Sequence, residues 1–173
     1  MKPRHIFNNQ EVKILKKSLV VYFSVTGTTK TLAEKLAKEA NADLFEIKPA
    51  VPYTQEDLDW TNENSRSTVE MKKDKTIRPE ISNKVENIGQ YDKIYIGFPI
   101  WWYIAPTIIN SFLEQYDLEG KTIIPFATSG GSDMGDTNKE LQPSCKGAKL
   151  LEGRRFSASV PQEQLKDWID SLN

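Results

Sequence analysis

Ser24-Val25-Thr26-Gly27-Thr28-Thr29-Lys30 gathers four hydroxyl residues around one glycine, directly after the apolar run Leu19–Phe23. A segment of this kind at a strand-to-helix junction can hold a phosphate. The N–H groups of a helix's first turn have no intrahelical partner, and the helix dipole favours an anion there. The hydroxyls add donors without adding positive charge. Two more stretches could contribute to a site. Pro99-Ile100-Trp101-Trp102-Tyr103-Ile104-Ala105-Pro106 places three consecutive aromatics between two prolines. Neighbours in an extended chain point opposite ways, so not all three rings can enter the core. A flat aromatic ligand would give the exposed ring a stacking partner worth about 0.5–1.5 kcal/mol beyond area burial. The third stretch, Thr128–Asp136, contains Gly130, Gly131 and Gly135. Gly130 and Gly131 can adopt positive φ and so let backbone N–H groups approach a ligand closely.

Other chemistries lack their residues. Cys145 is the only cysteine and His5 the only histidine, which leaves no intrachain disulfide, no thiolate cluster and no paired-histidine metal site. Cys145 reads as a small, semi-buried residue near a turn. The first loop has neither the Gly-x4-Gly-Lys-[Ser/Thr] of a P-loop nor the three glycines of a dinucleotide fingerprint. The ends of the first and third strands carry Ser24 and Gly97-Phe98-Pro99 rather than the acids of a phospho-acceptor domain. A net charge of −1 provides no basic field for nucleic acid. No run has the length of a membrane span, and the first ten residues lack the apolar core of a signal peptide, so a cytoplasmic location without membrane attachment is expected.

The elements that must carry these loops are readable from periodicity. Residues 1 to about 17 form a polar lead-in, with the folded domain over 18–173. Leu19–Phe23, Lys93–Phe98 and Thr122–Ala127 are apolar runs suited to strands buried on both faces. Leu44–Ile47 is a short second strand, and a last strand is expected near Lys149–Ser157. Helices are expected over Thr28–Ala40, Pro106–Tyr116, Thr137–Leu141 and the C-terminus, where Leu165, Trp168, Ile169 and Leu172 share a face. The segment 53–92 reads as a surface excursion with helices from about Ser65 to Lys73 and from Pro79 to Asn87. Alternating strands and helices predict an open, doubly wound, parallel α/β sheet, whose ligands bind outside the carboxyl ends of the strands. That rule selects the three loops above.

Ser24-x-Thr26-Gly27-x-Thr29, the strand end Gly97-Phe98-Pro99-Ile100-Trp101 and the glycine-rich third loop, in this order, resemble a flavodoxin from about residue 18 onward. The resemblance implies a three-layer fold of five parallel strands in the order 2-1-3-4-5, binding FMN noncovalently. It implies that Ser24, Thr26, Gly27, Thr28 and Thr29 hold the FMN phosphate, with Lys30 flanking it. Trp101 would stack on the isoalloxazine, Pro99, Ile100 and Trp102 would line that loop, and Thr128, Ser129, Gly130 and Gly131 would meet the ring from the other side. It assigns no catalytic or metal-binding residue. Its first implication for function is an electron-transfer protein; the alternative is an NAD(P)H-dependent flavin or quinone oxidoreductase using bound FMN. The partner would be a redox protein or a small electron acceptor, and the chain a monomer or weak dimer. Two departures stand out. The third loop offers Met134 where flavodoxins stack a tyrosine, which leaves one ring face open, and segment 53–92 is long, as in a longer flavodoxin-like subgroup, with Tyr53 or Trp60 as lid candidates. The aromatic loop also lacks a glycine, which implies weak stabilisation of the one-electron-reduced flavin.

Overall fold

A computed structural model describes residues 17–172. The expected lead-in, including His5, lies outside the described residues except for Lys17, which already belongs to a strand. The main elements in chain order are β1 (Lys17–Tyr22), α1 (Thr28–Ala40), β2 (Asp43–Glu46), α2 (Arg66–Thr68), β3 (Tyr91–Pro99), α3 (Thr107–Glu114), β4 (Thr122–Thr128), α4 (Thr137–Leu141), β5 (Lys149–Leu150), β6 (Arg154–Phe156) and α5 (Gln162–Ser171).

The continuous apolar runs become the inner strands, and their side chains alternate between two cores. Leu19, Val21 and Phe23 join Ile94, Ile96, Phe98 and Ile123 on one face, while Val20 and Tyr22 join Tyr95, Ile124 and Phe126 on the other. α3 covers the first face with Ile108, Ile109, Phe112 and Leu113. α1 and α5 cover the second with Leu32, Leu36, Leu165 and Trp168. Each such side chain, fully buried, contributes about 1.5–3 kcal/mol of transfer free energy. All pairings are parallel, in the order β2-β1-β3-β4-β5, with β6 also on β4. The flavodoxin-like order is therefore the one the sequence implied.

The last strand arrives in two pieces. Leu150 pairs with Ile123 and Arg154 with Phe126, so the outer strand carries one extra residue opposite Ile124-Pro125. Pro125 has no N–H to donate, and prolines inside sheets occur at such bulges. Gly153 lies in the bulge because a Cβ there would strike the Met134 methyl and come within 3.0 Å of the Pro125 Cβ.

Segment 53–92 corrects one expectation and keeps another. The helix expected from about Ser65 to Lys73 forms: Thr68 N donates to the Ser65 hydroxyl at 3.4 Å, and α2 continues as a π-helical turn over Val69–Lys73. The helix expected over Pro79–Asn87 does not. Its backbone groups are used by the chain following β2 instead: Ser82 N donates to Lys48 O and Ala50 N to Glu80 O, both at 2.8 Å. Asn83 closes the edge, donating to Glu46 O and accepting from Lys48 N. Cys145 is wholly buried rather than semi-buried, and burial pushes its thiol up to about 11. Among the described residues, no helix is long and apolar enough to cross a membrane.

Candidate cofactor-binding cleft

Every loop of interest leaves the carboxyl end of a strand, so the parallel sheet brings them to one rim. At the first, Gly27 enters α1 with φ 96° and ψ −9°, and no side chain caps the helix. Gly27 N donates to the Ser24 hydroxyl at 3.1 Å, and Gly27 O accepts from Thr31 N and the Thr31 hydroxyl, both at 3.1 Å. The Thr26 and Thr28 hydroxyls lie on the surface and, among the described residues, meet each other alone, at 3.4 Å. Thr29 differs: its hydroxyl is buried against that of Thr128 at 2.8 Å and ties the first loop to the third. This rim presents uncapped first-turn N–H groups and outward hydroxyls.

The second loop holds its aromatics by an unusual backbone. Ile100 N donates to Thr128 O at 2.9 Å, which carries the β3–β4 pairing one residue past the strand. Trp101 and Ile104 then exchange hydrogen bonds of 3.0 and 3.2 Å across a two-residue turn. Trp102 and Tyr103 take φ of 49° and 67°, the arrangement of a type I′ turn that normally uses Asn or Gly. Gly135 of the third loop is left-handed as well, and a Cβ there would run into the Tyr103 carbonyl. The strain of the aromatic turn is thus held by a close backbone contact from its neighbour.

The Trp101 ring meets Phe23 edge-on at 5.7 Å and Tyr53 at 5.4 Å, and those two meet each other at 5.5 Å. Tyr53 is itself clamped. Its hydroxyl donates to Glu70 at 2.5 Å, Arg66 pairs with Glu70 at 3.0 Å, and the Arg66 guanidinium lies 3.7 Å over the Tyr53 ring. Burial first, and the Glu70 carboxylate second, hold the Tyr53 phenol far above the ordinary tyrosine range. Tyr53 therefore supports Trp101 as a fixed wall rather than a lid. Segment 53–92 folds back onto the cleft instead of running over a remote surface.

The third loop is bare on its outer side. Gly130 and Gly131 are exposed, with nothing within 4 Å of a Cβ at either, and neither takes the positive φ that is open to a glycine. The loop instead closes on itself through the Ser129 hydroxyl, which accepts from Gly131 N at 3.3 Å and donates to Ser132 O. Met134 packs inward against the core. A fourth loop, Ser157–Ser159 after β6, was missed by sequence reasoning although the same carboxyl-end rule would have selected it. The Lys35 ammonium fixes it from α1 by donating to Ala158 O at 3.2 Å and Val160 O at 2.6 Å.

Three contiguous compartments result. The innermost, about 180 Å³, lies among Ser24, Thr26, Thr28, Thr29, Trp101 and Thr128. A second, about 460 Å³, opens from it toward Pro99, Ile100, Ser129, Gly130 and the fourth loop. The third, about 490 Å³, lies on the side of Trp102 and Tyr103 and is bordered by Leu58, Trp60 and Ser67; of these the sequence singled out only Trp60, as a lid candidate. Trp101 lines all three. Of the residues implied for FMN, Gly27 shapes the first loop without lining a compartment, Trp102 faces only the third, and Gly131 lines none. Among the described residues no charged side chain lines any of them. The donor set suits a phosphomonoester attached to a flat ring: uncapped amides and hydroxyls at one end, an indole face beyond. Ser67 Oγ is buried with no hydrogen-bond partner among the described residues, a deficit worth roughly 1–3 kcal/mol.

Comparison with known proteins agrees with this architecture. A flavoprotein from Bacteroides eggerthii superposes with a TM-score of 0.84 at 49% identity, covering 90% of this chain and 96% of that one. A Lactobacillus acidophilus flavoprotein in complex with FMN gives 0.67 at 27% identity, over 81% and 93%. A Brevibacillus brevis FMN-dependent NADH:quinone oxidoreductase is 25% identical over 126 residues, 72% of this chain, and the chain spans 60% of that protein's length. The family model described as Flavodoxin matches residues 17–172, and the chain belongs to the flavodoxin family.

Proposed function

We propose that the protein is an FMN-dependent oxidoreductase that takes reducing equivalents from NADH or NADPH and delivers them to a small acceptor. FMN, when bound, supplies the ring that carries the electrons. The first loop and the α1 N-terminus hold its phosphate, and Trp101, Thr128, Ser129 and Gly130 bound its ring. The carrying observation is the third compartment: Leu58, Trp60 and Ser67 border an aromatic-lined, small-molecule-sized space against the same Trp101 that lines the phosphate end. Support for this reading also comes from the Brevibacillus brevis relative, named an FMN-dependent NADH:quinone oxidoreductase. A cytoplasmic setting, with its supply of reduced nicotinamides, suits the reading.

The test is direct. Anaerobic addition of NADH or NADPH to the FMN-loaded protein, with no separate reductase present, bleaches the flavin absorbance. A flavin that stays oxidised with both donors sinks the reading.

An electron carrier docking on redox proteins is the second reading. It is favoured by the exposed rim of Trp60 (74% exposed) and Tyr103 (69%) beside the cleft, an amphipathic edge on which a protein partner could settle. In that case a separate flavoprotein reductase restores the reduction that the nicotinamides alone fail to give.

A further inference from the structure

We infer that Ser157, in the fourth loop, is a further binding residue for the cofactor's phosphate, and that Lys35 is its positioning residue. The inference needs only bound FMN, so it holds for an oxidoreductase and for a carrier alike. Ser157 follows β6 directly, at the carboxyl end where the other loops also leave the sheet. It is exposed and borders the compartment of about 460 Å³ that Thr26 and Thr28 of the first loop also line.

The hydrogen bonds of the fourth loop suit Ser157 to an anion. Ser159 N donates to Ser157 Oγ at 3.2 Å, and the two serine hydroxyls meet at 2.8 Å. With the Ser159 hydroxyl as donor in that pair, Ser157 Oγ accepts twice and keeps its own proton for a ligand. Accepting twice makes it a stronger donor, because each bond in a chain polarises the next. Lys35 extends the chain. Its ammonium donates to Ala158 O at 3.2 Å and Val160 O at 2.6 Å, and among the described residues it meets no carboxylate. The Ala158 carbonyl and the Ser159 N–H belong to one peptide unit, so a cation on the carbonyl strengthens that N–H. Ammonium, peptide and hydroxyl thus all donate in one direction, toward the compartment. The backbone holds this pose: Val160 N donates to Ser157 O at 3.0 Å, and the Gln162 side chain to Lys35 O at 2.8 Å.

That polarity selects the phosphate among the parts of FMN. The ring and the sugar chain are neutral, whereas a phosphomonoester carries a charge of about −1.5 to −2. Hydrogen bonds to an ionised acceptor are roughly twice as strong as neutral ones. Among the described residues no charged side chain lines the compartments, so Lys35 acts at one remove, through the peptide.

The test reads two properties of the FMN-loaded protein: affinity by fluorescence quenching, and the phosphorus-NMR resonance of bound FMN at saturation. Ser157→Ala binds FMN about tenfold more weakly, through loss of one hydrogen bond to a charged group, and displaces the resonance. Lys35→Met weakens binding about fivefold and displaces the resonance the same way. Lys35→Arg, which still offers donors to both carbonyls, returns both readouts close to wild type. The double variant is no weaker than Ser157→Ala alone, because both substitutions act on one contact. Ser157 is exposed and Lys35 only partly buried, and methionine keeps the helix propensity of lysine, so each variant folds. Wild-type affinity in Ser157→Ala overturns the phosphate contact. A fall in affinity with an unmoved resonance also overturns it, since Ser157 then meets another part of FMN. Equal weakening by Lys35→Met and Lys35→Arg, or losses that multiply in the double variant, overturns the positioning role.

Discussion

Gly27 holds α1's N-terminus in a left-handed conformation, at φ 96°, and the space where a Cβ would stand is open. An alanine there meets no neighbour, so its cost is backbone alone, about 1–2 kcal/mol. The cofactor-free loop of Gly27→Ala can relieve that strain by refolding, and binding must then restore it. FMN affinity accordingly falls about tenfold, measured by quenching of FMN fluorescence, while Gly27→Asn, which tolerates the left-handed region, loses less. A Gly27→Ala protein that binds FMN like wild type would show that this loop does not hold the phosphate. Thr29 marks what residue types alone leave open. A threonine in a phosphate loop reads as a donor to the anion, but here its hydroxyl is buried against Thr128, and its backbone is what remains at the helix start. The four hydroxyls of the motif were legible in the sequence; which of them faced out was decided by a contact ninety-nine residues away.

The turn between β3 and α3 carries the next consequence. Its two left-handed aromatics already occupy the positive-φ region, and the Tyr103 carbonyl is packed against Gly135. A peptide flip toward a reduced ring needs φ/ψ freedom that this turn has already spent. Reduction of the FMN-loaded protein therefore passes from the oxidised to the two-electron form with little of the one-electron state, as read by spectroelectrochemical titration; a large, long-lived neutral one-electron form would contradict this. Elements differed in how well the sequence announced them. β1, β3 and β4 were plain because strands buried on both faces need unbroken apolar runs, and α4 was bounded as expected. The Pro79–Asn87 segment was not, because Glu80, Ser82 and Asn83 bond to the chain beside β2, and local periodicity is silent about an edge elsewhere in the sheet. The break between β5 and β6 follows from Pro125 on the neighbouring strand, again a partner outside the window. For the same reason three loops of the cleft were legible from the carboxyl-end rule, whereas Leu58 and Ser67 reach it only because segment 53–92 folds back.

Across the whole molecule the net charge of −1 gives little long-range steering toward a charged partner. The alternation that builds two cores also buries ionisable groups, and this fixes how stability responds to alkali. Burial pushes Tyr22 and Tyr91 up to about 12, with nearby Glu46 and Asp43 adding to it, and Tyr53 and Tyr95 shift the same way. Cys145 rises to about 11. Each is neutral when protonated and holds its proton more tightly folded than unfolded. The stabilisation is therefore complete below the unfolded value, near pH 9 for the thiol and pH 10 for the phenols, and is lost as pH rises through the folded value. Urea midpoints of the cofactor-free protein should stay level up to about pH 9 on account of these groups, begin to fall as the unfolded thiol ionises, and fall more steeply above about pH 10. Tyr53→Phe removes one phenol while keeping the ring against Trp101, so it flattens the steep part of that decline and lowers the neutral-pH midpoint through loss of the Glu70 hydrogen bond. A midpoint unchanged at pH 11, or an equally steep decline in Tyr53→Phe, would mean that these groups reach water in the folded chain and that the aromatic wall behind Trp101 is looser than its geometry requires.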